Sequence, residues 1–316
     1  MLGLSRVESR FDAQHLSGAA PLLGRDEELA ILVRRWEQAK CGEGRVVLLT
    51  GEPGIGKSRL VRAVRDQLAI EALKPLSYFC APTFQDSTLY PFVRQITGAA
   101  AIERTDSDDR KLDKLEALLA ARGDIESDTP LLAALLSIPG GNRHPLPNIS
   151  SQHRKERTLA ILLDLMKQFA AQQPVLMVFE DLHWIDPTSL EALSLAIDQI
   201  EGQRILLIAT ARSGFSPPWS NQSYIATVHL GRLDRAAVLA LVEDVAQGKS
   251  LPAEVLEQIL TRTDGVPLFV EQLTKTIIES GLLRKTGEQY ELTGRLPELE
   301  RFRRRSTHRS LRGSTG

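Results

Sequence analysis

The chain has 316 residues, 42% apolar and 25% charged, which is enough apolar material for one large domain or two modest ones and excludes a disordered, collagen-like or coiled-coil chain. Its formal net charge of -1 conceals an asymmetry: residues 301–316 hold six arginines and no acid, leaving 33 basic against 40 acidic side chains, or -7, in the remainder. Cys41 and Cys80 are too few and too far apart for a disulfide framework or a metal site, the longest apolar run (Leu131–Leu136) is far short of the roughly 20 residues of a spanning helix, and the first 20 residues have no signal-peptide pattern, so a cytoplasmic location without membrane contact is expected.

Residues 1–20 are polar and read as a linker. Leu29, Leu32, Val33 and Trp36 then recur at helical spacing behind Asp26, Glu27 and Glu28, acids that suit a first turn. Arg45–Thr50 is a short β-rich run. Leu60, Val61, Val64 and Leu68 follow at helical spacing after a glycine-rich turn, giving a strand–loop–helix unit. Leu76–Cys80 is a second candidate strand. Residues 92–137 read as two or three helices, with Pro130 placed in the first turn of the last one. His153–Gln172 is a long helix ended by Pro174. Val175–Phe179, Arg204–Thr210 and Tyr224–Leu230 complete five strands, and Asp186–Ser189 opens a helix between the first two of these. Mostly apolar strands separated by helices predict an α/β fold with a five-stranded parallel sheet covered on both faces. Beyond Leu230 the pattern turns helical over 235–247, 253–262 and 268–280.

Gly51-Glu52-Pro53-Gly54-Ile55-Gly56-Lys57-Ser58 satisfies G-x-x-x-x-G-K-[ST] in full, between a predicted strand and a predicted helix. Such a loop turns its backbone N–H groups inward around a phosphate, and the helix that follows adds its positive end. Lys57 is expected on the β- and γ-phosphates of a nucleotide and Ser58 on Mg²⁺, with Gly51, Pro53, Gly54, Ile55, Gly56 and Arg59 completing the cradle. Hydrolysis needs an acid at the end of a neighbouring strand. Glu180-Asp181 after Val175–Phe179 fits: one carboxylate would hold Mg²⁺ through water, with Glu180 assigned to the ion, and the next would polarise the attacking water. Arg212, in Thr210-Ala211-Arg212 after the fourth strand, is either a γ-phosphate contact or a surface arginine. His183 and Trp184 are expected to pack the strand end and hold the acids in place.

Four segments together carry a resemblance: Pro21-Leu22-Leu23-Gly24-Arg25-Asp26-Glu27-Glu28-Leu29, Glu180–Pro187, Ala209–Arg212 and Asp264–Glu271. In this order they resemble the AAA-type, STAND-class signalling ATPases of bacteria. They are most similar to the origin-recognition-like ATPase module at the centre of adenylate/guanylate cyclase-linked and LuxR-type regulators. The resemblance implies a P-loop NTPase αβα core over 21–230, a helical lid over 231–285 and a partial winged-helix segment over 286–300, whose wing would be Gly287–Leu292. A basic, disordered tail over 301–316 departs from the pattern. Gly24 and Arg25 would lie near the adenine, Pro267 would approach it from the lid, and Arg212 would be the sensor arginine. Read by itself, Gly265-Val266-Pro267 is a turn opening a helix. Glu180 stands where many P-loop ATPases have Asp, so turnover is expected to be slow.

These readings make the chain an ATP/ADP- and Mg²⁺-binding regulatory switch, expected to act on an effector such as a cyclase or DNA-binding regulator, with nucleotide-dependent self-association. Val7–Ala13 is similar to the linker after a cyclase domain, so a module cut from a longer regulator is expected. The alternatives are an origin-recognition-like nucleic-acid-binding ATPase, a P-loop small-molecule kinase and a non-hydrolysing nucleotide sensor. Arg301–Arg305 could contact nucleic-acid phosphates. Basic tails are more often solvated arms, and direct nucleic-acid binding is not expected.

Overall fold

The computed structural model describes residues 22–120, 124–141, 143–219, 222–287 and 289–294. The linker over 1–20, the basic tail over 301–316 and most of the expected wing's C-terminal flank lie outside these residues. The chain divides into two compact units after Gly231.

In the first unit, helix α1 (Asp26–Lys40) leads to strand β1 (Arg45–Gly51) and helix α2 (Lys57–Leu68). Strand β2 (Lys74–Phe79) is followed by helices α3 (Tyr90–Ala99), α4 (Asp108–Leu119), α5 (Ile125–Leu135) and α6 (Ser151–Gln172). Strand β3 (Val175–Glu180), helix α7 (Pro187–Asp198), strand β4 (Ile205–Arg212) and strand β5 (Ile225–Leu230) complete the unit. The five strands form one parallel sheet in the order β2-β3-β4-β1-β5. This is the five-stranded α/β sheet of a P-loop NTPase fold.

Alternation along the strands explains the layers. Val46, Leu48, Met177, Phe179, Ile205 and Leu207 face one core, shared with α3, α4, α5, α6 and α7. Val47, Leu49, Leu176, Val178, Leu206 and Ile208 face the other, against Leu32 and Trp36 of α1 and Leu60, Val61, Val64 and Leu68 of α2. Strands buried on both faces have no polar side to show, which is why they read as continuous apolar runs. On the edge strand, Tyr78 stacks on Phe179 at 4.1 Å and meets Phe92 of α3 at 5.0 Å. That aromatic cluster seats the inserted helices on the sheet.

Two local expectations change. Helix α5 starts at Ile125, so Pro130 lies inside it rather than in its first turn. The helix absorbs the lost donor because Asp128, Thr129 and Pro130 are all buried, and packing of that turn outweighs one missing hydrogen bond. Strand β4 continues through Thr210 and Ala211 to Arg212, paired with β1 as far as Gly51. Pairing with the neighbouring strand, not local propensity, sets where this parallel strand stops.

The second unit contains helices α8 (Arg235–Val245), α9 (Ala253–Thr263) and α10 (Pro267–Glu279) and an antiparallel hairpin, β6 (Leu283–Thr286) with β7 (Gln289–Leu292). Val238, Leu241, Val255, Ile259, Val270 and Ile277 are among its buried apolar residues on the three helices. Asp264 ends α9 at φ +50, and Gly265 follows at φ +71, its carbonyl accepting the Leu233 N–H at 2.9 Å. A Cβ at Gly265 would stand 2.5 Å from the Leu233 carbonyl oxygen, so this turn requires glycine. Among the described residues no helix is long and apolar enough to cross a membrane.

Candidate functional site

The loop from Gly51 to Lys57 is shaped by its glycines and anchored by one apolar side chain. Gly54 and Gly56 have φ of +79 and +105, open to glycine and strained for other residues. A Cβ at Gly51 would stand 2.9 Å from both Ile55 Cγ2 and the Leu230 carbonyl oxygen, where β1 passes close to β5. Ile55 is fully buried in the core beneath the loop, and its N–H closes a turn on the Glu52 carbonyl at 3.3 Å. Pro53 at the loop tip is exposed, whereas Ser58 and Arg59 in the first turn of α2 are half-buried.

Helix α2 begins without a side-chain cap and without an acid in its first turn. Helix α1 carries three acids in that place. No carboxylate of its own first turn therefore answers the positive end of α2. Lys57 is buried, and its Nζ donates to the carbonyls of Gly51 at 2.8 Å and Glu52 at 3.0 Å. Burial lowers its pKa most; Asp181 opposes that shift and Arg212 adds to it. Asp181 and Arg212 thus both lie within electrostatic reach of Lys57.

The sheet order explains that convergence. β4 runs between β1 and β3, so the C-terminal ends of all three meet at one edge. Glu180, the last residue of β3, is buried, and its carbonyl accepts the Cys80 N–H at 3.1 Å. Asp181 then turns the chain sharply at φ +60, an unusual conformation for a non-glycine residue. Its N–H donates to the buried Thr210 Oγ1 at 3.0 Å, which holds the turn from the adjacent strand. Leu182–Trp184 forms a single 3-10 turn. Asp186 Oδ1 then accepts N–H groups from Ser189 at 2.9 Å and Leu89 at 3.2 Å, capping α7 and tying it to the start of α3. Arg212 is exposed at the end of β4, with its guanidinium carbon 5.3 Å from the centroid of the Trp184 ring.

Gly24 (φ +63) is exposed just before α1. Arg25 is buried instead. Its guanidinium pairs with Glu28 at 3.0 Å, reaches the Ile55 carbonyl at 3.4 Å and donates to the Gly231 carbonyl beyond β5. Arg25 is therefore a clamp on the phosphate loop, built from main-chain acceptors. Pro267 belongs to the second unit, as the first residue of α10.

The structure thus gathers the Gly51–Arg59 segment, Glu180, Asp181 and Arg212 at one sheet edge, with Arg25 supporting the loop. Three contributions went unread in the sequence: the acceptor role of Thr210, the double cap by Asp186 and the contact of Trp184 with Arg212. A capping signal was present in Asp-Pro-Thr-Ser; the other two depend on the order of strands.

A family model described as an AAA ATPase domain matches residues 21–208. A curated relative, an uncharacterized protein of Rhizobium meliloti (strain 1021), is 27% identical over 269 residues, which is 82% of this chain and 25% of the relative. The chain thus spans about a quarter of the length of that relative. Among solved structures, the ORC1 protein of Aeropyrum pernix in complex with DNA superposes with a TM-score of 0.50 at 15% identity, over 86% of this chain and 63% of that one. A STAND protein with a tetratricopeptide repeat sensor from Pyrococcus horikoshii matches with a TM-score of 0.43 at 14% identity, over 88% of this chain and 43% of that one. The chain belongs to the AAA ATPase domain family, whose model covers more than half of it and includes the phosphate loop and both acids.

Proposed function

We propose that this AAA ATPase domain binds ATP in the loop between β1 and α2, hydrolyses it slowly, and acts as a nucleotide-dependent regulatory switch. The observation that carries this reading is a complete phosphate loop beside an acid-bearing strand end. The cradle has glycine at its strained and crowded positions, an uncapped helix start and a buried lysine now resting on two loop carbonyls. A polyphosphate offers that lysine stronger, charge-assisted acceptors than main-chain carbonyls.

The residues present fit Mg²⁺ as well as nucleotide. Ser58 and Glu180 would hold the ion, which when bound neutralises charge on the β- and γ-phosphate oxygens. Asp181 is our candidate for polarising the attacking water. Its backbone is fixed by Thr210, so its carboxylate is carried on a rigid turn. Arg212 is our candidate for contacting the γ-phosphate. Gly24 and Arg25 are assigned to the adenine side on resemblance alone, and the clamp made by Arg25 supports only its nearness to the loop. The effector we assign, a cyclase or a DNA-binding regulator, rests on the four motifs, as does nucleotide-dependent self-association.

The test is calorimetric titration with ATP and ADP, turnover, and mass by light scattering with ADP and with a non-hydrolysable ATP analogue. Lys57→Ala should abolish tight binding of both nucleotides; an unchanged ATP affinity would sink the site. Glu180→Gln and Asp181→Asn should bind ATP and lose turnover. Wild-type binding without turnover, unaltered by these two changes, would leave a nucleotide sensor rather than an ATPase.

A further inference from the structure

Arg212 pairs in register with Gly51 across the β1–β4 ladder, so its side chain starts beside the phosphate loop. Among the described residues no carboxylate pairs with it. It lies over the face of Trp184, 5.3 Å from ring centroid to guanidinium carbon, within cation–π range. The two partners differ in burial. The Trp184 ring is partly buried against the sheet core, and the residue's main-chain N–H donates to the Asp181 carbonyl at 2.9 Å. The arginine is exposed on a flexible stem. Lys57 stands close enough to feel its charge, so two cations crowd the same edge. The Asp181 carboxylate, which also acts on Lys57, offsets part of that repulsion, and a triphosphate would offset far more.

We propose that Trp184 is a positioning residue that holds Arg212 against its ring in the nucleotide-free and ADP-bound protein and releases it to the γ-phosphate of ATP. The ring thereby sets the preference between tri- and diphosphate. This rests on the nucleotide-binding reading above. Guanidinium–phosphate contacts are charge-assisted and can be bidentate, so a γ-phosphate outcompetes an aromatic face. ADP lacks the group that competes. Only such a differential contact can shift the arginine between two positions.

Dissociation constants for ADP and for a non-hydrolysable ATP analogue, measured for wild type and variants, test the proposal. Trp184→Leu frees Arg212, so the analogue should bind about two- to fivefold more tightly while ADP is unchanged. Trp184→Phe keeps a poorer cation–π face and should move the ratio in the same direction by less. In an Arg212→Ala background, Trp184→Leu should leave the ratio as it was. Tryptophan emission should shift with the analogue but not with ADP, and that shift should vanish in Trp184→Leu. Equal weakening of both nucleotides by both Trp184 variants would overturn the proposal, because the ring would then only support the fold. So would an unchanged ratio in Trp184→Leu. A wild-type chain that binds neither nucleotide would overturn the nucleotide reading itself, which is a separate and recognisable failure.

Discussion

Replacing Arg25 by alanine should destabilise the nucleotide-free protein, not only weaken a nucleotide contact. Its guanidinium is buried, paired with Glu28 and donated to two main-chain carbonyls, Gly231 and Ile55. Breaking a buried ion pair by removing one partner costs about 3–5 kcal/mol. Two features place this case at the low end. Glu28 stays in the first turn of α1, where the positive helix end still favours its charge, and the Ile55 contact is long at 3.4 Å. A loss of about 3 kcal/mol is therefore expected. For a cooperative unit of this size that is about 6–12 °C in Tm, at about 2–4 °C per kcal/mol. The assay is thermal unfolding without nucleotide, with urea unfolding as a check. Arg25→Lys keeps the charge but not the fork that reaches several acceptors, so it should fall between the two. A nucleotide-free Tm within about 2 °C of wild type for Arg25→Ala, at the sensitivity used above, would refute the clamp and return Arg25 to a purely ligand-contacting role.

Four further outcomes are expected. Cys41 is exposed and Cys80 buried, with burial first and the nearby Asp181 and Asp186 second pushing the Cys80 thiol up to about 12 from 9.0. A thiol reagent near pH 8 should thus modify one cysteine in the native protein and both after unfolding, as counted by mass spectrometry. The unfolded chain loses the Cys80 proton above 9.0 while the folded one keeps it, so this residue makes stability fall between pH 9 and about 12; Cys80→Ala should flatten the fall in urea unfolding at stepped pH. Gly51→Ala places a Cβ 2.9 Å from a main-chain oxygen that cannot swing away, so a loss of about 1–3 kcal/mol by denaturation is expected, with weakened ATP binding by calorimetry. Thr210→Val removes the acceptor that holds the Asp181 turn, so turnover should drop more than ATP affinity, alongside a stability loss of about 1–3 kcal/mol.

The strands illustrate what local pattern can reveal. β1, β3 and β4 sit in the middle of the sheet and are buried on both faces, so their apolar runs were visible without any partner. The end of β4 was not visible, because Thr210 and Arg212 have no apolar signature and owe their strand conformation to pairing with β1. The start of α5 was hidden for the converse reason: Pro130 looks like a first-turn residue, and only its burial with Asp128 and Thr129 shows why the helix tolerates it internally. The phosphate loop was legible because its chemistry is contiguous, eight residues whose backbone does the wrapping.

The contacts that complete the candidate site are not contiguous. Arg25 reaches Gly231 across 206 residues, Asp181 reaches Thr210 across 29, and Trp184 meets Arg212 from the next strand. The sequence by itself determined the covered parallel sheet, the glycine-built cradle and the acid pair after β3, because each follows from side-chain period, backbone freedom or residue order. Only the tertiary structure decided that Arg25 clamps the loop, that Thr210 fixes the acid turn and that Arg212 lies over Trp184. Those contacts depend on the strand order β2-β3-β4-β1-β5, which brings distant segments to one edge through pairing that no local pattern encodes.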